Sequence, residues 1–377
     1  MNAGTSLRMI ALAGVLLLAG CTASSGLTSP NPEDDLSGAS PSSTPTPEPI
    51  NAGEVWAWGT GLTGRLGIPN GPDVRMPAKI ETQGDVVAVA QSPGAAAIRA
   101  DGTVLFWGWS GQGALGIDAT SYHVYPPAPV EGLVNVVEIK GFGAYYALDA
   151  KGKVWVWGGG SRGEFGDGVY DADATYFRAS PAVVDGLPPA VAVDTNVAVG
   201  EDGLVYTWGC TRNQECLLPT PVPGIENAVD STRGLALTAD GKVFKWDYTN
   251  RGFAAEAAYE ISFQAPATAI FGGGSGVVLL EDGTVWERTA SEGSGPVKVN
   301  GVENIVAVGD TACPEVLAVD EDGYMWVWSP AGQGQDYGDH CDMYPDQTAT
   351  PWNAVRLDIL PGRVIALDGE TAVVATD

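Results

Sequence analysis

Residues 101–116 read DGTVLFWGWSGQGALG. Asp101-Gly102 is a turn dipeptide, Val104-Leu105-Phe106-Trp107 is a short apolar run of strand-forming residues, and the glycines from Gly111 to Gly116 make a second turn. The stretch therefore predicts a buried strand held between two turns.

The unit recurs. Gly53, Gly102, Gly152, Gly203, Gly241, Gly283 and Gly323 each open a copy, and two residues later stand Val55, Val104, Val154, Val205, Val243, Val285 and Met325. Five residues after the glycine come Trp58, Trp107, Trp157, Trp208, Trp246 and Trp328, with Arg288 in the remaining copy. Upstream lies a second recurring run, as in Val86-Val87-Ala88-Val89 and Val136-Val137-Glu138-Ile139. A third follows it at Ala95–Ile98, and a fourth is marked by proline, as at Pro77-Ala78-Lys79-Ile80. Four short strands per unit, repeated about every 47 residues over residues 51–377, predict an all-β fold, a seven-bladed β-propeller in one domain. Val373-Val374-Ala375 lacks a following Gly-x-Val-x-x-Trp strand, and Gly53-Glu54-Val55-Trp56-Ala57-Trp58 supplies it from the other end, so the N- and C-terminal strands should close one blade together.

Trp58-Gly59 through Gly64-Arg65-Leu66-Gly67, Trp107-Gly108 through Gly113-Ala114-Leu115-Gly116, and Trp157-Gly158 through Gly163-Glu164-Phe165-Gly166 resemble the repeat of the regulator of chromosome condensation family. The resemblance covers residues 51–377, is strongest in the first three copies, and implies a seven-bladed propeller. A fold of this kind hosts many functions.

Residues 1–20 combine Arg8, an apolar stretch from Met9 to Ala19 and Leu18-Ala19-Gly20-Cys21, which resembles a bacterial lipoprotein signal. The expectation is export, acylation of Cys21 and attachment to the outer face of the bacterial cell membrane through that lipid alone. Residues 21–50 then carry the anchor and a Ser/Thr/Pro-rich tether, too polar to fold. The remaining cysteines, Cys210, Cys216, Cys313 and Cys341, are even in number; proximity favours Cys210–Cys216 and Cys313–Cys341, and the spacing of a zinc site is missing.

With 46 acidic and 19 basic residues the formal charge is −27, and no Lys/Arg cluster occurs. Such a surface repels phosphate, so no nucleic-acid partner is expected. The only histidines are His123 and His340, and no nucleophile elbow accompanies them. Acids gather at Asp167, Asp171 and Asp173 and again at Asp336, Asp339 and Asp342. Calcium is the one cofactor these could hold, and no cofactor is the expectation, since neither stretch has a full calcium-loop pattern.

Loop lengths single out a binding face. Long segments separate the fifth-position tryptophan from the next strand's proline in copies 1, 2, 3 and 7 (Trp58 to Pro77, Trp107 to Pro127, Trp157 to Pro181, Trp328 to Pro351), and short ones do so in copies 4 and 6. In a closed ring the four long loops are neighbours. They carry Tyr122, His123, Tyr125, Tyr170, Asp171, Asp173, Tyr176, Tyr337, Asp339, Tyr344 and Trp352, residue types suited to anchoring a partner on a rigid scaffold. The sequence thus points to a surface-anchored, monomeric, non-enzymatic binding module for an extracellular protein or cell-wall polymer. The alternatives are an extracellular propeller lyase or glycosidase, and an exported protein resembling β-lactamase inhibitors built from these repeats.

Overall fold

A computed structural model of the protein describes residues 52–59, 66–67, 74–82, 84–91, 94–109, 123–173, 175–210, 216–246, 258–272, 276–287, 295–310, 316–328, 353–369 and 371–376. Every regular element among them is a strand. The chain begins with β1 (Gly53–Gly59) and β2 (Val74–Ile80), followed by β3 (Val86–Gln91), β4 (Gly94–Arg99), β5 (Val104–Trp109) and β6 (His123–Pro129). Next come β7 (Val136–Phe142), β8 (Ala144–Asp149), β9 (Val154–Gly159) and β10 (Phe177–Val183), then β11 (Ala190–Asp194), β12 (Val197–Gly200), β13 (Val205–Cys210) and β14 (Cys216–Pro221). Two further sets are β15 (Ala228–Thr232), β16 (Leu235–Thr238), β17 (Val243–Lys245), β18 (Tyr259–Ile261), and β19 (Ala267–Phe271), β20 (Val277–Leu280), β21 (Thr284–Glu287), β22 (Val297–Glu303). The last are β23 (Ile305–Asp310), β24 (Val316–Asp320), β25 (Met325–Trp328), β26 (Val355–Leu357), β27 (Val364–Asp368) and β28 (Thr371–Ala375).

These strands form an all-β propeller of five separate four-stranded sheets and one eight-stranded sheet. The expectation of seven separate blades is corrected on that point. In the eight-stranded sheet, β27, β28, β1 and β2 meet β3 to β6 through the single residue pair Gly53↔Val86. Gly53 is pressed so close to β28 that a Cβ there would collide with the Val374 carbonyl. Closure by strands from opposite ends of the chain is present: β1 pairs antiparallel with β28 from Gly53↔Ala375 to Ala57↔Thr371.

The first strands of the sheets stand side by side, β27 by β3, β3 by β7, β7 by β11, β11 by β15, β15 by β19 and β23 by β27. Between sheets lies the core. Trp58, Trp107, Trp157, Trp208 and Trp328 are 0% exposed and Trp246 is 2% exposed, and each inserts into the sheet before its own. Trp157 packs with Val104 and Phe106, and Trp208 with Tyr146, Val154 and Val156. Truncating one such side chain to alanine costs about 3–5 kcal/mol.

The recurring glycine has a local cause. At Asp101-Gly102 the chain turns between β4 and β5, with Gly102 at φ 77° and the Asp101 carboxylate accepting from the Thr103 amide at 2.9 Å and hydroxyl at 2.6 Å. An L side chain is disfavoured at that φ, and a Cβ would also press on Asn135 of the next connection.

Candidate functional site

Within each sheet the first and third strands run the same way, because both are antiparallel to the second. The ends of the first strands and the loops after the third strands therefore share one face of the propeller. The third long loop lies, except for residue 174, within the described residues, and its acids serve the loop itself. Asp171 accepts from the amides of Asp173 (3.1 Å), Thr175 (2.6 Å) and Tyr176 (2.6 Å) and from the Thr175 hydroxyl (3.0 Å). Burial pushes its carboxyl up, but these hydrogen bonds outweigh it and hold the pKa below the usual aspartate value.

Tyr176 is half-buried. Its hydroxyl donates to Asp167 Oδ2 at 2.7 Å, which Arg178 Nη2 also reaches at 3.1 Å, and the bond to Asp167 raises the phenol's pKa. The Tyr176 ring meets Phe165 edge-on at 5.2 Å while the Arg178 guanidinium covers the same Phe165 at 4.3 Å. Tyr170 and Asp173 are exposed. Among the described residues no three His, Cys, Asp or Glu side chains are grouped so as to hold a metal ion.

The loop is fastened to the next sheet. Cys210 and Cys216, opposite one another on β13 and β14, form a disulfide, and Gly163, at φ 74°, lies so close that a Cβ would sit 2.6 Å from Cys210 Sγ. Exposed apolar residues that sequence reasoning missed flank this joint: Val169 (40% exposed) next to Tyr170 in the loop, Leu218 (58%), whose Cδ2 lies 3.6 Å from where a Gly168 Cβ would be, and Phe177 (52%) at the start of β10. Part of the signal was available, since Phe177 is the first residue and Leu218 the third residue of a fourth strand, β10 and β14.

Of the other residues singled out from sequence, His123 and Tyr125 lie on β6, their side chains outside the described residues. Tyr122, Tyr337, Asp339, Tyr344, Trp352, Cys21, Cys313 and Cys341 also lie outside them, as do His340, Asp336 and Asp342.

A second group, unassigned from sequence, occupies the throat where the first strands end. Glu138 and Lys140 of β7, Asp194 of β11, Asp230 of β15 and Asp368 of β27 come from four first strands. Lys140 Nζ is 3.7 Å from Glu138 Oε1, the side chains being 44% and 31% exposed. Each carboxylate is aimed by one backbone amide: Val193 N to Glu138 Oε2 (3.1 Å), Gln91 N to Asp368 Oδ2 (2.6 Å), Thr195 N to Asp194 Oδ1 (2.5 Å) and Ser231 N to Asp230 Oδ1 (2.9 Å). Desolvation pushes Glu138 up against the opposing pull of Lys140. Burial disfavours the charge on Lys140, yet the fields of Glu138, Asp194, Asp368 and Asp230 win and raise its pKa. At the mouth the Arg233 guanidinium lies 4.0 Å over the ring of Phe142, itself 60% exposed.

No protein-family model matches the chain. The E3 ubiquitin-protein ligase HERC2 of Homo sapiens is 30% identical over 225 residues, 52% of this chain and 5% of that protein. The mitochondrial RCC1 domain-containing protein RUG3 of Arabidopsis thaliana is 24% identical over 270 residues, 62% of this chain and 61% of that protein. The chain thus spans less than two thirds of the length of these relatives. Among solved structures, Prp20p of Saccharomyces cerevisiae, described with its binding properties to Gsp1p and histones, superposes with a TM-score of 0.65 at 18% identity over 87% of this chain and 93% of that one. Together these relatives support a propeller of the regulator of chromosome condensation type.

Proposed function

We propose that this chain is a non-enzymatic binding module of seven blades, the eight-stranded sheet counting as two. Acylated Cys21 and the tether hold it on the outer face of the bacterial membrane, and the long-loop face meets an extracellular protein or cell-wall polymer. The observation that carries the reading is the exposed group Val169, Tyr170, Phe177 and Leu218, built on a loop locked by Asp171, Tyr176 and the disulfide, because exposed aromatics on a rigid frame bind at little entropic cost. Prp20p, with its binding to Gsp1p and histones, is a precedent for protein binding on a similar fold. The test measures binding of the purified protein to envelope proteins and to peptidoglycan, with a Tyr170→Ala/Phe177→Ala variant beside Tyr324→Ala in a turn of the opposite face. The double variant should bind more than tenfold more weakly. Equal binding by all three proteins would refute the reading, and mass spectrometry finding an unmodified Cys21 in the membrane fraction would refute the anchor.

One observation favours a second reading, an extracellular lyase or glycosidase: acids from different sheets converge on the throat, and Glu138 has the raised pKa of a candidate general acid. Turnover of a cell-wall polysaccharide that Glu138→Gln abolishes would establish it.

A further inference from the structure

The seven first strands carry a bulge in register, and the residue after it is Ala88, Ala192, Ala269, Ala307 or Ala366 in five of them. In the other two it is Glu138 and Asp230. Two residues further along lie Lys140, Asp194 and Asp368, where the remaining strands have Ala90, Thr232, Phe271 and Gly309. A place that packing fills with alanine is thus given to a carboxylate twice, and a second charged layer follows two strand residues away, roughly 7 Å. Four acids face one lysine there, an excess of three negative charges, or two if Arg233 at the mouth is included. Like charges concentrated in a narrow opening attract a counter-cation strongly.

Two further observations describe that cation. Thr232, two residues from Asp230 on the same strand face and 6% exposed, has a hydroxyl with no hydrogen-bond partner among the described residues, a costly state unless a ligand or water completes it. On the acid-bearing strands β11 and β15 the bulged positions are exposed Val191 (52%) and Val229 (41%), apolar surface suited to methylene groups. The acids are too dispersed for one metal ion, since no three are grouped for coordination among the described residues.

We propose that the throat binds an alkyl polyammonium ion, with ammonium groups at the Glu138/Asp230 and Asp194/Asp368 layers and the methylene spacer against the valines. Lys140 is the built-in competitor that holds the empty site together. The inference rests on the binding-module reading, because the throat opens at the centre of that face, but its test needs no knowledge of the macromolecular partner.

Calorimetric titration of the full chain at about 0.15 M salt, where diffuse attraction is screened beyond about 8 Å, would use spermidine in one arm and a tri-lysine peptide in the other. Saturable one-to-one binding is expected in at least one arm; tighter spermidine assigns the site to free polyamines, and tighter peptide assigns it to a partner's lysines. Glu138→Gln/Asp230→Asn should weaken binding at least tenfold, with its melting temperature checked separately. Lys140→Met, which keeps the stem and removes the competing charge, should strengthen binding severalfold. Non-saturable binding, binding unaffected by the double variant, weaker binding by Lys140→Met, or equal displacement by calcium would each overturn the proposal. If throat binding fails while Tyr170→Ala/Phe177→Ala still disrupts the macromolecular partner, the module reading survives without it.

Discussion

The seams between sheets and the throat at their inner ends are made by the same strands, yet they follow opposite rules. In the seams one tryptophan recurs six times in an unchanging register, each almost completely buried in the preceding sheet. In the throat Glu138 and Asp230 each occur in a single sheet, at a bulge position where the other five first strands have alanine. Repetition follows packing, because every seam must solve the same volume problem. Departures from it mark places where the ring is no longer symmetric, and chemistry can reside there without breaking the fold.

The largest effect expected from this contrast concerns closure. Removing residues 22–50 should leave the melting temperature nearly unchanged, whereas removal through Trp58 takes away β1, the strand between β28 and β2, together with a seam tryptophan. That longer deletion should abolish cooperative unfolding, as read by calorimetry; equal melting of the two deletions would break the account of the ring. Next in size, Trp157→Ala or Trp208→Ala should cost about 3–5 kcal/mol, while Glu138→Gln/Asp230→Asn should change stability by less than about 1 kcal/mol. Denaturant midpoints that reversed this order would show that the throat, not the seams, holds the sheets together.

How far the sequence could be read follows the same division. The glycine register, the tryptophans and the shared closure of β1 with β28 were legible because each repeats or completes a pattern. The joining of two sheets at Gly53↔Val86 was not, since it is a single backbone pairing that no repeat pattern encodes. Tyr176 and Asp171 looked like partner contacts by type and loop position, but a hydroxyl donating to Asp167 and a carboxylate gathering three backbone amides belong to the loop's own frame. The throat acids were hidden by composition, for two carboxylates among 46 acidic residues attract no notice until the bulge register sets Glu138 and Asp230 against five alanines. That comparison needed only the repeat alignment, and it is the signal that reading by motif passed over.

A smaller effect is expected at the joint between the third long loop and its neighbour. The Cys210–Cys216 bridge closes a short loop, so replacing both cysteines by serine should cost about 2 kcal/mol by chain entropy. Because Gly163 abuts Cys210, hydrogen exchange should rise at 161–170 as well as at 211–215. Exchange confined to 211–215 would show that the loop does not depend on the bridge.

The smallest effect sets throat against turns by sign. Glu138 has its folded pKa raised by desolvation against the pull of Lys140, with Asp194, Asp230 and Asp368 facing the same space. Above the unfolded glutamate value of about 4.3 the folded state therefore holds the proton more tightly. Stability falls as pH rises through the window between the two values, and the penalty persists above it. The turn acids Asp101 and Asp282 run the other way: hydrogen bonds from Thr103 and Thr284 depress their pKa values, so their contribution is present above the unfolded aspartate value and is lost as pH falls through the folded one. In melting temperatures recorded from about pH 3 to 8, Glu138→Gln should flatten the decline just above the unfolded glutamate value, leaving neutral stability equal or slightly higher. Asp101→Asn should shrink the acid-side loss and lower neutral stability. If Glu138→Gln instead removed stability at neutral pH, the charge on Glu138 would be a net support of the fold, and the throat would belong with the seams as structure rather than with the binding face.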